Sequence, residues 1–314
     1  MSSGPVIAVV GADGFVGGGF AEGLGAERIV YGPPRDGEIP VERAREVLQR
    51  ADVVVNAAGF RVRRGLTLED YRRCHQGATA ALLPFVRPGA LFLHMSSAHV
   101  LGRSPERPLG NDSPPNPATY PSAAYAQAKA EADAFVERAA AERGFQAAFL
   151  RPTILYARPG DTSLPDNLCK WARRGTLLRL FPRHARHHLC HLDLLVEVAR
   201  RAIERRDRLP AGAHLVVADP YTVTSRELDA LIERHLPRPP RTIPIPARAM
   251  NAVLRFSPRS SNPAYDLRTW GDIFGVFFLD TVYDPFPTFR LLGIDAARYA
   301  ADRTLEPFVR QALA

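Results

Sequence analysis

The chain has 314 residues, 46% of them hydrophobic, which is enough for one large α/β domain with a smaller appended lobe. No apolar run reaches the roughly 18 to 20 residues of a membrane span, and Pro5 to Val10 runs into glycines without a basic leader or cleavage site, so a soluble, cytoplasmic protein with no membrane partner is expected. The formal charge is +8, but the 41 basic residues are two lysines and therefore 39 arginines, set in helical patterns without interleaved aromatics; this points away from nucleic acid and toward an anionic small molecule.

In chain order, the apolar run Val6 to Val10 predicts a strand, the glycines after it a turn, the stretch to about Gly25 a helix, and Arg28 to Tyr31 a second strand. A Pro/Gly-rich loop at 32–40 leads to an amphipathic helix, Val41 to Arg50, and a buried strand, Asp52 to Asn56. A helix over 67–86, the strand Ala90 to Met95, a long helix over 121–143 and the strand Gln146 to Arg151 follow. Strands alternating with helices predict an α/β fold of Rossmann type, a doubly wound parallel sheet covered on both faces, over 1–165. The chain is expected to return to that domain at about 189–218, with a helix at 192–206 and a short strand at 213–218. Residues 166–188 and 219–314, irregular and rich in proline and arginine, form a smaller C-terminal substrate-binding lobe with a helix at 224–236, a Pro-rich link at 237–246 and a terminal helix.

The run Gly11-Ala12-Asp13-Gly14-Phe15-Val16-Gly17 follows a strand and opens a helix, the context in which a glycine spacing signals a dinucleotide site. Gly11 permits the tight turn, Gly14 lets backbone approach a pyrophosphate, and Gly17 lets helix pack on strand, with the helix N-terminus facing the phosphates. At the end of the second strand, Arg35 favours a 2′-phosphate and hence NADP(H), while Asp36, one residue on, keeps NAD(H) as the alternative.

Tyr125 and Lys129, four residues apart on a helix, share one face, and a cation beside a phenol favours the phenolate, making it usable in proton transfer at a carbonyl or alcohol. One of the two lysines in an arginine-rich chain stands there. Ser97, at the end of a strand, adds a hydroxyl that can bond the same substrate oxygen.

Taken together, Gly11-x-x-Gly14-x-x-Gly17, Asn56-Ala57-Ala58-Gly59, Ser96-Ser97-Ala98-His99-Val100-Leu101-Gly102, Tyr125-x-x-x-Lys129, Arg151-Pro152-Thr153-Ile154-Leu155-Tyr156 and His191-Leu192-Asp193 resemble the extended short-chain dehydrogenase/reductase family of epimerases, dehydratases and ketoreductases. The resemblance implies that Ser97 orients the substrate oxygen, Tyr125 is the acid/base and Lys129 holds the nicotinamide ribose. It also implies that Asp13, Phe15, Val16, Ala57, Ala58, Gly59, Pro152, Thr153 and Ile154 border the cofactor, and that the helices over 67–86 and 121–143 form a homodimer interface.

The chain departs from the family in several places. Ala98-His99 stands where sugar-nucleotide dehydratases carry Asp-Glu, which points from dehydration toward reduction or epimerisation; His99 either packs structurally or reaches substrate as a further acid/base near pH 7. His75 falls where the family has an asparagine supporting the lysine. Asn167 and Arg186 are further substrate candidates, the latter in a basic run, Lys170, Arg173, Arg174, Arg179, Arg183 and Arg186, suited to a diphosphate or carboxylate. The histidines between His184 and His191 lack metal-site spacing and a carboxylate partner, and the cysteines Cys74, Cys169 and Cys190 lack C-x-x-C spacing, so neither metal nor disulfide is expected. The expectation is an NAD(P)-dependent ketoreductase or epimerase acting on a nucleotide-activated sugar. The alternatives are a ketoreductase of a small non-sugar metabolite and a non-catalytic cofactor sensor.

Overall fold

Short runs of β-branched and aliphatic residues build the central sheet of the computed structural model, which describes residues 4–30, 41–62, 66–104, 106–120, 123–181, 183–246 and 280–314. Its strands are β1 (Ile7–Val10), β2 (Glu27–Ile29), β3 (Val53–Asn56), β4 (Leu91–Met95), β5 (Gln146–Pro152) and β10 (Ala213–Val217), in the order β10-β5-β4-β3-β1-β2. All five pairings are parallel. The expected Rossmann-type sheet is therefore present. Alternate side chains face opposite layers: Leu91, Leu93 and Met95 pack toward α1 (Phe15–Leu24), α7 (Leu192–Glu204) and α9 (Phe286–Leu292), whereas Phe92 packs toward α2 (Val41–Arg50), α4 (Ala78–Leu82) and α5 (Ala123–Arg143). In the first layer α1 and α7 approach closely because Gly19 and Gly23 have no side chain; a methyl group at either would stand 2.7 Å from Leu192 or 2.5 Å from Val196.

The helix expected over 67–86 is broken into pieces. α3 (Leu68–Arg72) starts at a capping box in which Thr67 and Asp70 satisfy each other's backbone amides. A π-helical turn (Arg73–Gly77) follows, then α4, then a 3₁₀ turn (Leu83–Phe85) carrying Pro84, which has no amide to continue the ladder. The Thr79 hydroxyl donates to the His75 carbonyl at 2.7 Å inside the wide turn. Sequence periodicity does not register one inserted residue.

The remaining segments are more regular than their composition indicates. In 166–188, expected to be irregular, α6 (Leu164–Arg173) begins at the Ser163 cap with Pro165 in its first turn, and β7 (Thr176–Phe181) follows. The Pro-rich link at 237–246 holds a strand, β12 (Arg241–Pro246), parallel to β7, in a two-stranded sheet whose open edges tolerate Pro244 and Pro246. Two further pairs join β6 (Ile154–Tyr156) to β9 (Leu189–His191) and β8 (Arg186–His187) to β11 (Val223–Thr224). Tyr156, Leu164, Cys169, Leu177, Leu228, Ile232, Phe308 and Val309 share one apolar cluster, so α6, α8 (Ser225–Arg234) and α10 (Leu305–Leu313) form a second small core.

Candidate functional site

Chain reversal puts the candidate residues at the carboxyl edge of the sheet. From β1 the chain moves outward to β2, whereas β3, β4 and β5 extend the other way, leaving a crevice beside β1 where open α/β sheets receive ligands. Gly11 closes β1 at φ +79°, and a methyl group on it would lie 3.0 Å from the Ala58 backbone, so the glycine turn rests against Ala57 and Ala58 after β3. A methyl group on Gly17 would overlap the Gly11 carbonyl oxygen, so α1 can dock on the turn only as glycine. Gly14 caps α1 with no side-chain hydrogen bond, which leaves the amides of Phe15 and Val16 to meet an anion, and Asp13 is exposed beside them. This backbone cradle fits a pyrophosphate. Arg28 on β2 donates to the Ala12 carbonyl and sets a guanidinium at the same turn, a contact that only the fold reveals. Arg35 and Asp36 lie outside the described residues.

Across the sheet, Ser97 ends the segment after β4 and caps a 3₁₀ turn (Ala98–Leu101), its hydroxyl accepting from the His99 amide at 3.3 Å. The buried Tyr125 phenol on α5 lies close enough to Ser97 for that hydroxyl to favour the ionised form. Lys129, one turn on, is buried and donates to the Met95 carbonyl at 2.6 Å. Ser97, Tyr125 and Lys129 are thus brought together at the end of β4. The phenol is not lowered as expected from the lysine alone: burial pushes it well above the usual tyrosine range, and the nearby Ser97 hydroxyl opposes that shift. Burial also brings Lys129 down to about 8.

The π-helical turn aims His75 into this group. Its ring stands edge-on to Tyr125 at 5.5 Å and stacks on Tyr71 at 5.9 Å. A methyl group on Gly59, at φ +149°, would stand 2.7 Å from His75 Nδ1 and 3.7 Å from Lys129 Nζ, so the glycine lets both side chains converge on one point. Both His75 ring nitrogens are buried without a hydrogen bond, and burial with the Lys129 charge keeps the ring neutral.

His99 lies on the other side of Tyr125, with ring centroids 5.9 Å apart. Its Nε2 shares a 2.8 Å hydrogen bond with the Tyr120 hydroxyl, and its Nδ1 is buried without a partner. Burial pushes this histidine down to about 3, so it does not titrate near pH 7 as an acid/base there would have to. Replacing His99 with Asn is therefore expected to leave the shape of the pH–rate profile unaltered between about pH 5 and 8 and to act mainly on KM. Loss of a limb near pH 6.5 in a kcat-against-pH measurement would restore the acid/base reading.

Thr153 lies just beyond β5, its amide bonded to the Val217 carbonyl at 3.1 Å and its hydroxyl buried without a partner, between Pro152 at the end of β5 and Ile154 at the start of β6. The other substrate candidates are already engaged. Asn167 donates to the Thr162 carbonyl at 2.9 Å, and Arg186 pairs with Asp280 at 2.8 Å. The basic wall is largely neutralised: Lys170 meets Asp166 at 2.6 Å, Arg179 meets Glu233 at 2.5 Å and Arg183 meets Asp229 at 3.3 Å. His187 and His188 serve as internal hydrogen-bonding groups, to Ser225 Oγ at 2.9 Å and to the Asp219 carbonyl at 2.6 Å.

Sequence reasoning missed a group beneath Lys129, made of Ser96, Asp133, Arg151 and His94, all buried. The available signal was an arginine closing an otherwise apolar strand, since a buried guanidinium requires a partner.

Residues 7–218 match the model of the family described as NAD dependent epimerase/dehydratase. No curated protein matches the sequence. Among solved structures, a UDP-glucuronic acid 4-epimerase mutant from Bacillus cereus, in complex with UDP-4-deoxy-4-fluoro-glucuronic acid and NAD, is similar at TM-score 0.73 and 14% identity, covering 98% of each chain. DesIV, a dTDP-glucose 4,6-dehydratase from Streptomyces venezuelae with NAD and TYD bound, is similar at TM-score 0.72 and 18% identity, covering 97% of this chain and 96% of that one. RMD from Pseudomonas aeruginosa, complexed with NADPH, is similar at TM-score 0.69 and 16% identity, covering 99% and 98%. At such identities the likeness establishes the fold.

Proposed function

The chain belongs to the NAD dependent epimerase/dehydratase family, and on that premise we propose that it moves hydride between a nicotinamide dinucleotide and a hydroxyl-bearing or keto carbon of a nucleotide-activated sugar, as an epimerase or ketoreductase. The observation that carries the reading is the convergence at the end of β4 of Ser97, the buried Tyr125 and, one helical turn on, Lys129 bound to the Met95 carbonyl, across the crevice from the glycine turn. A bound nicotinamide supplies the hydride acceptor and donor.

The chain's own groups supply the rest. The amides of Phe15 and Val16, with Gly11, Gly14 and Gly17, receive the pyrophosphate; Asp13, Ala57 to Gly59 and Pro152 to Ile154 border the dinucleotide. Lys129, as a charged donor, holds the ribose hydroxyls. Ser97 orients the substrate oxygen and Tyr125 gives a proton to it or takes one from it. Burial favours the neutral phenol, so donation to a ketone oxygen is the easier direction, and a charged Lys129 assists removal. Residues 166–188 and 219–314 provide the sugar-binding lobe. The nucleotide-sugar assignment is supported by the ligands named for the similar epimerase and dehydratase structures, not by the arginines of the basic run, most of which already have carboxylate partners.

The reading is tested by adding UDP-glucose, UDP-glucuronic acid and dTDP-glucose separately to the enzyme with NAD or NADP and following reduced-nicotinamide absorbance and product stereochemistry. Transient reduction with at least one sugar is expected. Cofactor binding without binding of any nucleoside diphosphate would favour the small-metabolite ketoreductase, and no cofactor binding would remove the redox reading altogether. The same titrations compare the cofactors: we propose NADP(H) through Arg35, and tighter binding of NAD sinks that assignment. A homodimer through α3, α4 and α5 is proposed as the working unit, measured by sedimentation.

A further inference from the structure

The alternation of the central strands places a charged group where the second layer of the core should be apolar. Phe92 on β4 and Phe149 on β5 face α4 and α5, so His94 and Arg151, two residues further along each strand, face the same layer at its carboxyl end. Lys129 and Asp133, one turn apart on α5, meet them from above. Their exposures are 5% for Lys129, 3% for Asp133, and 1% for both Arg151 and His94. Asp133 Oδ2 accepts from Ser96 Oγ at 2.7 Å and from Arg151 Nη2 at 3.1 Å, while Oδ1 faces His94 Nε2 at 3.9 Å without a hydrogen bond.

We propose that Asp133 is a positioning residue, the buried counter-ion that keeps Lys129 charged, with Ser96 and Arg151 fixing its carboxylate.

Among the described residues packed against Lys129, Asp133 does most to favour its charge and the Cys74 thiol does less. On α5 the neighbours are Asp133 and the neutral Tyr125 phenol; on β4 they are the Met95 carbonyl and His94; on the π-helical turn, the thiol of Cys74 and the imidazole of His75; Arg151 on β5 joins the group through Asp133. Both histidines are held neutral by burial and by the lysine itself. Burial raises the Asp133 carboxyl, and Arg151, Ser96 and Lys129 oppose that rise by favouring the carboxylate, so the set is two cations and one anion. A guanidinium does not give up its proton in a protein, so when the anion is removed the lysine is the group that must respond. Uncompensated charge in a low-dielectric interior is relieved by neutralisation, and Lys129 loses its proton at a lower pH. Ser96 and Arg151 both bind Oδ2, which fixes the carboxylate on the strand side of α5. Asp133 and Lys129 form no direct ion pair; the ammonium spends its hydrogen bond on Met95, so the carboxylate acts through space and leaves the remaining ammonium donors free. For the reaction this rests on the role proposed above for Lys129, whereas the test does not.

The chain has two lysines, Lys129 and Lys170, so lysine labelled with ¹³C at Cε gives two resonances, assigned with Lys170→Arg. Lys170, paired with Asp166 at 2.6 Å, serves as the internal control. In the wild-type protein the Lys129 signal is expected to titrate near pH 8. Asp133→Asn is expected to lower that midpoint by about one pH unit or more, and Asp133→Glu to return it to within about half a unit, with Lys170 unmoved throughout. Asp133→Ser, a smaller neutral residue that still offers Ser96 and Arg151 an oxygen, carries the same expectation if the asparagine variant fails to fold. A Lys129 midpoint unchanged in the neutral variant overturns the proposal even if the protein binds and turns over substrate. Failure to bind either nicotinamide dinucleotide, with the shift intact, would count against the functional reading alone.

Discussion

Tyr125→Phe is expected to yield a folded protein that still binds nicotinamide dinucleotide but turns over about 10²- to 10⁴-fold more slowly. The substitution removes one hydroxyl and keeps a buried ring whose centroid stands 5.5 Å from those of Tyr71 and His75. Ser97 keeps the His99 amide at 3.3 Å, so the stability change stays within about 1 kcal/mol. The loss therefore appears in kcat, while the cofactor dissociation constant, set by the glycine turn and Lys129, moves little. Direct measurement of kcat and of cofactor fluorescence titration on the same preparation separates the two. A kcat within about threefold of wild type would mean that another group moves the proton, the buried Tyr120 and half-buried His99, joined at 2.8 Å, being the nearest alternatives.

How far such a site can be read in advance depends on what kind of signal each residue sends. The glycine turn, β4 and the Tyr125–Lys129 pair were legible because each rests on local rules: glycines spaced between a strand and a helix, a short mostly apolar run in β4, and four-residue spacing on α5. His75 was legible as a residue but not as a geometry. Its aim toward Tyr125 and Gly59 arises from one inserted residue in a π-helical turn, which leaves hydrophobic periodicity almost unchanged. Strand β12 was hidden by Pro244 and Pro246, since prolines exclude a central strand but not one in a two-stranded sheet. The arginines of the basic run looked like a ligand wall because their carboxylate partners, Glu233, Asp229 and Asp280, lie 46 to 94 residues away in sequence. Tyr125 differs from its expectation for a related reason: spacing reveals the cation four residues on but not the burial that raises the phenol.

The second large effect is at Gly17, and a neighbouring glycine provides its control. Gly17→Ala puts a methyl group onto the Gly11 carbonyl oxygen and within 2.6 Å of the carbon that bears it, and both are backbone atoms in a turn already held at φ +79°. No rotamer relieves that overlap, so α1 must move away from the turn and its free amides move with it. Cofactor affinity is expected to fall by about 100-fold or more, with a stability loss of about 1 to 3 kcal/mol. Gly18→Ala meets nothing nearer than the Ala12 carbonyl at 3.6 Å, an ordinary contact. Alanine is also the better helix former, so this variant is expected to gain about 0.5 to 1 kcal/mol and keep its affinity. Thermal melts of the two proteins should therefore shift in opposite directions, and only Gly17→Ala should weaken in the cofactor titration. Equal behaviour of the pair, whether both tolerated or both lost, would show that close approach of α1 to the Gly11 carbonyl is not what shapes the dinucleotide cradle.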